Sequence, residues 1–588
     1  MILENQNELN KFYTKIKRQE LSLNVNKPTA RTFTKTRDRM TIVNVLAMAL
    51  TVAVCGRLIY LNTVKSTFLE KQLNTRVMRS ITIPAMRGTI VDRNGQPLAV
   101  STPVNAIWAD PSSIDHLNTE QLKDLATALG LSIQELSSKL SDKNKTFIYL
   151  KRAMSPENAD KVLALDIPGV YKMQEYRRFY PSGEVTAHVV GFNNVDDQGI
   201  DGMEYKSNQL LKGANGSRQI VRDLKGNVVS TDVLQNAKEG SQVSLSIDSR
   251  LQYIAYNALK AQVDKSQAKS GSAVVLDAHT GEVLAMVNLP TYNPNSRNNI
   301  TPEMLKNSAA VNAFDPGSTM KPIVVAKALD DGLITPSTQF NINPYYVGPK
   351  RIVDDHQRSS TANVTEIIQR SSNVGTSKIG MMYKPEVLWN YFHKVGIGTK
   401  LNTGFPGETN GVMLPWQKWY PIDQALMSFG YGVTASLMQM AHAYTLFTNN
   451  GCVLPVTFDK VTSDSNLECQ QVISPKSAET MRVMLSKTVE DGTGRTAQTA
   501  DYTAAGKTGT AQVLQNGRYL TNQHIGSFVG FAPAIDPKII VAVTIDRPTV
   551  GSYYGAQTAS PVFAKIVQES LKTMKVKPDK IATNTLVQ

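Results

Sequence analysis

The run Met40–Leu61, MTIVNVLAMALTVAVCGRLIYL, fits few surroundings other than a lipid bilayer. As a helix its 22 residues span about 33 Å, enough to cross the hydrocarbon core. Arg57 lies near the far end, where its long side chain can snorkel to the interface, and Tyr60 suits the same depth. Residues 1–39 carry nine Lys/Arg against four Asp/Glu, a local net charge of +5. Basic flanks stay cytoplasmic. The sequence therefore predicts a cytoplasmic tail (1–39), a single transmembrane anchor (40–61) and an external remainder. A cleaved signal peptide needs a short basic region and a small-residue cleavage site. Here the basic leader is long and LNTVKST ends the run, so a retained anchor is expected. VAVC before Gly56 is a poor lipoprotein signal, because Val54 is bulky beside Cys55.

A chain of 588 residues exceeds one ordinary core. Its 41% hydrophobic and 19% charged content is that of a globular protein. A net charge of +14 suits nucleic acid, an anionic membrane or an anionic substrate. Zinc spacing, an RNP-like aromatic motif and a basic helix with interleaved aromatics are all missing, which disfavours nucleic acid. Cys452 and Cys469 would both lie outside the cell, where their spacing permits a disulfide without demonstrating one. Two free thiols are the alternative.

Residues 62–240 read as an elongated, strand-rich, non-catalytic region. ITIPAMRGTIVDRNGQPLAV alternates apolar residues around an Asn94-Gly95 turn, residues 118–145 look helical and then loopy, and VRDLKGNVV reads as a hairpin. Asp92 and Arg93 read as turn residues with a structural ion pair. A second domain is expected over 241–575. It opens with a strand entering a helix, passes two strands around Ala278–Gly281, and carries helices at 323–330, 435–448 and 475–489. It closes with the strands SFVGFAP and KIIVAVTID, with DYTAAGKTGTAQV beside them. Strands at both ends with helices between imply an α+β fold, an antiparallel sheet covered by helices. Residues 576–588 read as a disordered polar tail.

Three short motifs carry the chemistry: Ser318-Thr319-Met320-Lys321, Ser371-Ser372-Asn373 and Lys507-Thr508-Gly509-Thr510. Each alone is weak. Ser266 and Lys269 form a second S-x-x-K, and Ser22 and Ser296 begin further S-x-N matches. Context separates the first set: a Pro316-Gly317 approach, an apolar helix after it, and the K-T-G on an expected strand. At a helix start, residues three apart share a face, so Lys321 is expected beside the Ser318 hydroxyl. Free backbone N–H groups there suit a developing oxyanion. Lys321 acts as a base only when neutral, which burial and the like charge of Lys507 would favour. Lys507 is expected to stay charged and attract a peptide carboxylate, with the Thr508 and Thr510 hydroxyls helping. Ser371 would relay a proton, Asn373 would hold the substrate amide, and the backbone N–H groups of Ser318 and Thr510 would form the oxyanion hole. No G-x-S-x-G elbow, H-E-x-x-H or Walker loop competes. The seven histidines are scattered and read as surface or core residues. No metal or other cofactor is called for.

These motifs resemble the penicilloyl serine transferases. RGTIVDRNGQPLA (87–99) and RRFYPSGEVTAHVVGFNNVDDQGIDGMEY (177–205) resemble non-catalytic boxes of class B penicillin-binding proteins. AVVLDAHTGEVLAMVNLPTYNPN, GFPGETNGVMLP, SFGYGVTASLMQMAHAY and HIGSFVGFAPA resemble their transpeptidase domain, in family order. The wording is most similar to the division-specific FtsI type (penicillin-binding protein three), and the missing C-terminal PASTA-like repeat looks like the Gram-negative form. The resemblance implies a β-lactamase-like transpeptidase domain on a pedestal of dimerisation type, held in the inner membrane with its catalytic part periplasmic. It implies a D,D-transpeptidase that cross-links septal peptidoglycan through a Ser318 acyl-enzyme and is acylated by β-lactams. Partners implied are stem peptides, lipid-linked nascent glycan, an FtsW-type glycosyltransferase and other divisome membrane proteins. Asp315 stands where the family usually has Glu, Cys452 where Gly is common, and Arg547 and Ala556 depart from the family's wording. The alternatives are a D,D-carboxypeptidase or β-lactamase-like hydrolase, disfavoured because no carboxylate is evident to activate water, and a catalytically idle scaffold or β-lactam sensor, disfavoured by the complete set of site residues.

Overall fold

The computed structural model describes residues 30–68, 78–114, 117–222, 228–355, 359–462, 468–515 and 517–580. Most of the basic tail, His116, His356, the tip of the VRDLKGNVV hairpin and residues 581–588 lie outside them. The chain divides into two compact units, 1–81 with 217–234, and 82–216 with 235–588. In the first, the helix Ala30–Thr63 contains the stretch Asp38–Thr63, with mean hydropathy 2.1 and an apolar surface open along its length. The Arg57 guanidinium lies over the Tyr60 ring at 5.4 Å. A three-stranded sheet orders Met78–Ile83, Gly216–Arg222 and Val228–Gln235.

In the second unit the long strand Pro97–Ala109 pairs with Ile148–Met154 and Val170–Phe179, and the short strand Ile90–Val91 bridges it to Val243–Ser244. The helices Thr119–Leu129 and Ile133–Leu140 open with reciprocal caps, Asn118 with Gln121 and Ser132 with Glu135. Leu125, Leu129 and Leu136 then pack into one core with Ile107 and Leu150 of the sheet. The Asn94-Gly95 turn forms as expected, its two amides at Asn94 and Gln96 donating to Asp92 Oδ1 at 2.8 Å. Asp92 Oδ2 accepts from Ser249 N and Oγ at the head of the next helix. Arg93 pairs with Glu282 at 3.3 Å.

Elsewhere in the non-catalytic part, Glu204 is fully buried between two arginines. It meets Arg87 Nη2 and Arg178 Nε, each at 2.6 Å. Arg87 also donates to the carbonyls of Asp197 and Glu204 and to Asn208.

Five antiparallel strands form the main sheet: β1 (Ser270–Asp277), β2 (Val283–Leu289), β3 (Ala505–Gln515), β4 (Arg518–Ala532) and β5 (Ile539–Asp546), in the order β2-β1-β5-β4-β3. Successive side chains on a strand point to opposite faces. Ala273 and Val275 of β1, with Ile539, Val541 and Val543 of β5, therefore enter one core with helices α1 (Ser249–Ser266) and α4 (Gly555–Thr573). Val274, Leu276, Ile540 and Ala542 enter the other, against α2 (Lys321–Asp330) and the helices around Leu437–Thr448. Both faces are covered, which is why these strands read as unbroken apolar runs.

Two expectations change. Residues 576–580, expected as disordered tail, are tied down. Val576 packs on the core beside α4, Tyr502 Oη donates to its carbonyl at 2.9 Å, and Asp579 accepts from Thr503 N at 2.7 Å. Cys452 and Cys469, left open by spacing, are bridged, with Cα atoms 5.8 Å apart.

Replacing Glu204 by Ala removes the ion-pair partner of two buried guanidiniums. It is expected to cost about 3–5 kcal/mol, read as a shift in the urea midpoint of the detergent-solubilised chain; an unchanged midpoint contradicts this account.

Candidate functional site

The segment before the nucleophile motif enters as a two-residue strand, Ala313–Phe314, paired with Ala435–Ser436. Gly317 then turns at φ 55° and donates its N–H to Gly430 O at 2.9 Å. Ser318 lies in a 3-10 turn, Gly317–Met320, and the α-helix begins only at Lys321. The expectation of an α-helical first turn is corrected in this detail: the tighter turn follows from the left-handed glycine and the proline before it.

Lys321 is fully buried. Its Nζ donates to Ser371 O at 2.5 Å, Asn373 Oδ1 at 2.7 Å and Ser371 Oγ at 3.1 Å. Ser371 Oγ in turn donates to Ser318 Oγ at 3.0 Å. The hydrogen-bonded route from lysine to serine thus runs through Ser371, not directly along the helix face. Ser371 occupies the left-handed region at φ 64°, between the end of helix Val364–Arg370 and the start of α3 (Asn373–Gly380). In that conformation both its carbonyl and its hydroxyl face Lys321. Asn373 spends its amide on Lys321 and, at 3.2 Å, on Val353 O.

The opposite wall is β3. Lys507 is also fully buried, and among the described residues its Nζ has only weak neutral partners: Thr508 O at 3.2 Å, Thr508 Oγ1 at 3.3 Å and Thr493 Oγ1 at 3.4 Å. Thr510 Oγ1 accepts from Gly555 N at 3.1 Å, which leaves its proton free to donate. Gly509 lets β3 pass directly over the nucleophile turn. A Cβ there would stand 2.3 Å from Ser527 Oγ and 3.0 Å from Pro316 O. Between the walls lies a cleft of about 370 Å³ lined by Ser318, Ser371, Thr508, Gly509 and Thr510, so the three motifs, scattered over the sequence, meet in one place.

Burial is the main influence on both lysines. It lowers Lys321 to about 7, although the charges of Asp354 and Asp355 pull the other way. Burial, then the like charge of Lys321, lowers Lys507 well below its ordinary value. Lys507 was expected to stay charged. In the free site burial works against that charge, and no carboxylate pairs with Lys507 among the described residues.

The cleft also contains residues that sequence reading passed over. Asp354 is fully engaged at the head of α3, accepting from Ser372 Oγ at 2.7 Å and Val374 N at 2.9 Å. Asp355 stands exposed at the mouth, Thr493 reaches Lys507 and Thr508, and Tyr554 lines the far side. Their signals were faint: a G-T-G in EDGTGRT and a Tyr-Tyr pair in GSYYGA. The decoy Ser266 closes the last turn of α1 and donates to Gln262 O at 2.7 Å. Among the histidines, His188 and His442 are buried and lowered to about 4, and His524 stacks on Tyr553 at 4.0 Å.

The family described as the penicillin binding protein transpeptidase domain matches residues 271–568, and the penicillin-binding protein dimerisation domain matches 82–245. The chain belongs to the penicillin-binding protein transpeptidases. It is 40% identical to a probable peptidoglycan D,D-transpeptidase PenA of Neisseria meningitidis, over 93% of this chain and 95% of that one. It is 38% identical to the peptidoglycan D,D-transpeptidase FtsI of Escherichia coli, over 90% of each. Among solved structures, a peptidoglycan synthetase from Bifidobacterium adolescentis superposes with a TM-score of 0.69 at 25% identity, covering 86% of this chain and 98% of that one. The transpeptidase domain of Burkholderia pseudomallei penicillin-binding protein 3 is 40% identical, with a TM-score of 0.53, and covers 57% of this chain and 98% of that one.

A Gly509→Ala variant must push β3 off the nucleophile turn. Displacements of this kind cost on the order of 10²-fold in rate, so acylation by a fluorescent penicillin should fall by at least tenfold in protein that still unfolds cooperatively. Wild-type speed contradicts the close-approach argument.

Proposed function

We propose that this chain is a membrane-anchored serine D,D-transpeptidase that cross-links septal peptidoglycan and is acylated by β-lactams. The observation that carries the proposal is the chain Ser318 Oγ, Ser371 Oγ, Lys321 Nζ, facing the Thr508–Thr510 strand across a solvent-accessible cleft.

The donor stem's terminal carboxylate enters beside Lys507, Thr508 and Thr510. Its charge stabilises the Lys507 ammonium and reverses the depression seen in the free site. The two hydroxyl protons first turn so that Ser318 donates to Ser371 and Ser371 to neutral Lys321; Ser371 then passes its proton to Lys321 as it takes that of Ser318, and Ser318 Oγ bonds to the penultimate D-Ala carbonyl carbon. The N–H groups of Ser318 and Thr510 hold the oxyanion, an effect worth about 3–4 kcal/mol per donor. As the intermediate collapses, the C–N bond breaks and the proton on Lys321 passes through Ser371 to the leaving D-Ala amine. An amine of a neighbouring stem then attacks the ester and gives up a proton along the same route, which restores the Ser318 hydroxyl. For Asn373, holding the substrate amide requires that it exchange part of its present bonding to Lys321 and Val353.

The same reading divides the chain into a cytoplasmic tail (1–39), an anchor (40–61), a pedestal (62–240), a transpeptidase domain (241–575) and a terminal segment (576–588). The basic flank and the apolar helix support an inner-membrane protein with its catalytic part in the periplasm. An FtsW-type glycosyltransferase and other divisome proteins are the partners proposed. Hydrolysis instead of transfer would need a base for water. Asp354 is spent on α3, and Asp355 is exposed at the rim.

Ser318→Ala should abolish labelling by a fluorescent penicillin while leaving the fold intact; labelling that survives would sink the nucleophile assignment. Release of free acid in place of a cross-linked dimer, from donor and acceptor stems supplied together, would favour the hydrolase. A second test is pH. Lys321 is protonated and inactive below about 7 and neutral above it. Acylation should therefore rise with pH through that range, falling about tenfold per unit on the acid side. A flat profile between about pH 5 and 8 contradicts Lys321 as the base.

A further inference from the structure

Asp315, three residues before Ser318, is 4% exposed. Its Oδ2 accepts from Tyr519 Oη at 2.6 Å, the short distance of a charge-assisted bond. Its Oδ1 is buried and has no hydrogen-bond partner among the described residues. Tyr519 sits on β4 opposite Leu514 of β3, four residues past Thr510. Among the described residues this is the one hydrogen bond that joins the segment 314–320 to the hairpin formed by β3 and β4. The rest of that seam is glycine contact, at Gly317 and Gly509. A third segment joins nearby. Gly430 O accepts from Gly317 N, Tyr431 Oη donates to Thr510 O at 3.3 Å, and the Tyr431 and Tyr519 rings meet edge to face at 6.1 Å.

A buried carboxylate with one oxygen unpartnered is a poor stabiliser, since desolvation opposes it. Burial raises the Asp315 carboxyl to about 6, consistent with that tension. What the pair does supply is a direct hydrogen bond between two elements that are otherwise linked only through the Gly430-Tyr431 segment, among the described residues.

We infer that Asp315 and Tyr519 are a positioning pair, whose hydrogen bond sets the spacing between the Ser318 and Thr510 backbone N–H groups and so the geometry of the oxyanion hole. Neither residue touches the substrate. The pair acts on the acylation step through the turn and the strand, and this inference rests on Ser318 being the nucleophile.

The test measures acylation of the full-length, detergent-solubilised protein by a fluorescent penicillin, resolving the first-order acylation rate from the affinity of the encounter complex. Asp315→Ala and Tyr519→Phe should each slow the acylation rate by about tenfold or more with affinity little changed. The double variant should be no slower than the slower single one, because both remove the same bond. Asp315→Asn, whose side-chain carbonyl still accepts from Tyr519, should recover most of the rate. A role in stability alone would lower the unfolding temperature and the fraction labelled, but not the rate in folded molecules. Tyr519→Phe at wild-type speed overturns the inference. So do additive losses, a loss confined to affinity, or an Asn variant as slow as the Ala variant. Labelling of Ser318→Ala, run alongside, removes the nucleophile reading and this inference together; wild-type speed in Tyr519→Phe removes this inference alone.

Discussion

The burial of Lys321 is the constraint around which the rest of the site is arranged. An ammonium with no carboxylate in ion-pair contact is unfavourable in a protein interior, and the group responds by giving up its proton. The three atoms that meet it, Ser371 O, Ser371 Oγ and Asn373 Oδ1, are neutral. They are enough to orient the amine and too weak to keep it charged. Lys507 is buried within the same site, so two cations are disfavoured there at once. An incoming anionic ligand relieves the second of these without supplying a proton acceptor to compete with the first.

Such a site needs walls that approach closely without filling the cleft. The main sheet separates two cores, and its edge strand β3 runs along the seam between the sheet and the helical part. Gly317, Gly430, Gly509 and Gly555 line that seam, and a Cβ on three of them would stand closer than 2.5 Å to a neighbouring atom. Backbone can therefore meet backbone where the nucleophile turn and β3 come together. Glycine contact brings the walls together but gives no direction. The hydrogen bonds of Tyr519 with Asp315 and of Tyr431 with Thr510 give the seam its alignment.

Much of this was legible in the residues. The apolar run, the capping boxes and the two-sided strands declare themselves by composition and period. The serine, lysines and threonines of the site declare themselves by motif and by what precedes them. Ser371 as the bridge between Lys321 and Ser318 was only partly legible: its hydroxyl marked it as a relay, but its left-handed backbone depends on the two helices it joins. Asp354, Thr493 and Tyr519 were not legible, because each acts on a group more than a hundred residues away or through a hydrogen bond to an ordinary neighbour. The ordered stretch 576–580 was missed because its polar composition hides contacts to Tyr502 and Thr503.

The sequence alone pointed to one membrane-length helix, to an α+β fold, and to the three motifs that the structure brings to one cleft. These follow from local physics: hydrophobic length, period, and the reactivity of a serine next to amines. Only the tertiary structure showed which way burial pushes the two lysines, the hydrogen bonds that join Lys321 to Ser318 through Ser371, and the contact of Asp315 with Tyr519. Each of these depends on what solvent is excluded and which distant backbone comes within 3 Å, and no local pattern of residues encodes either.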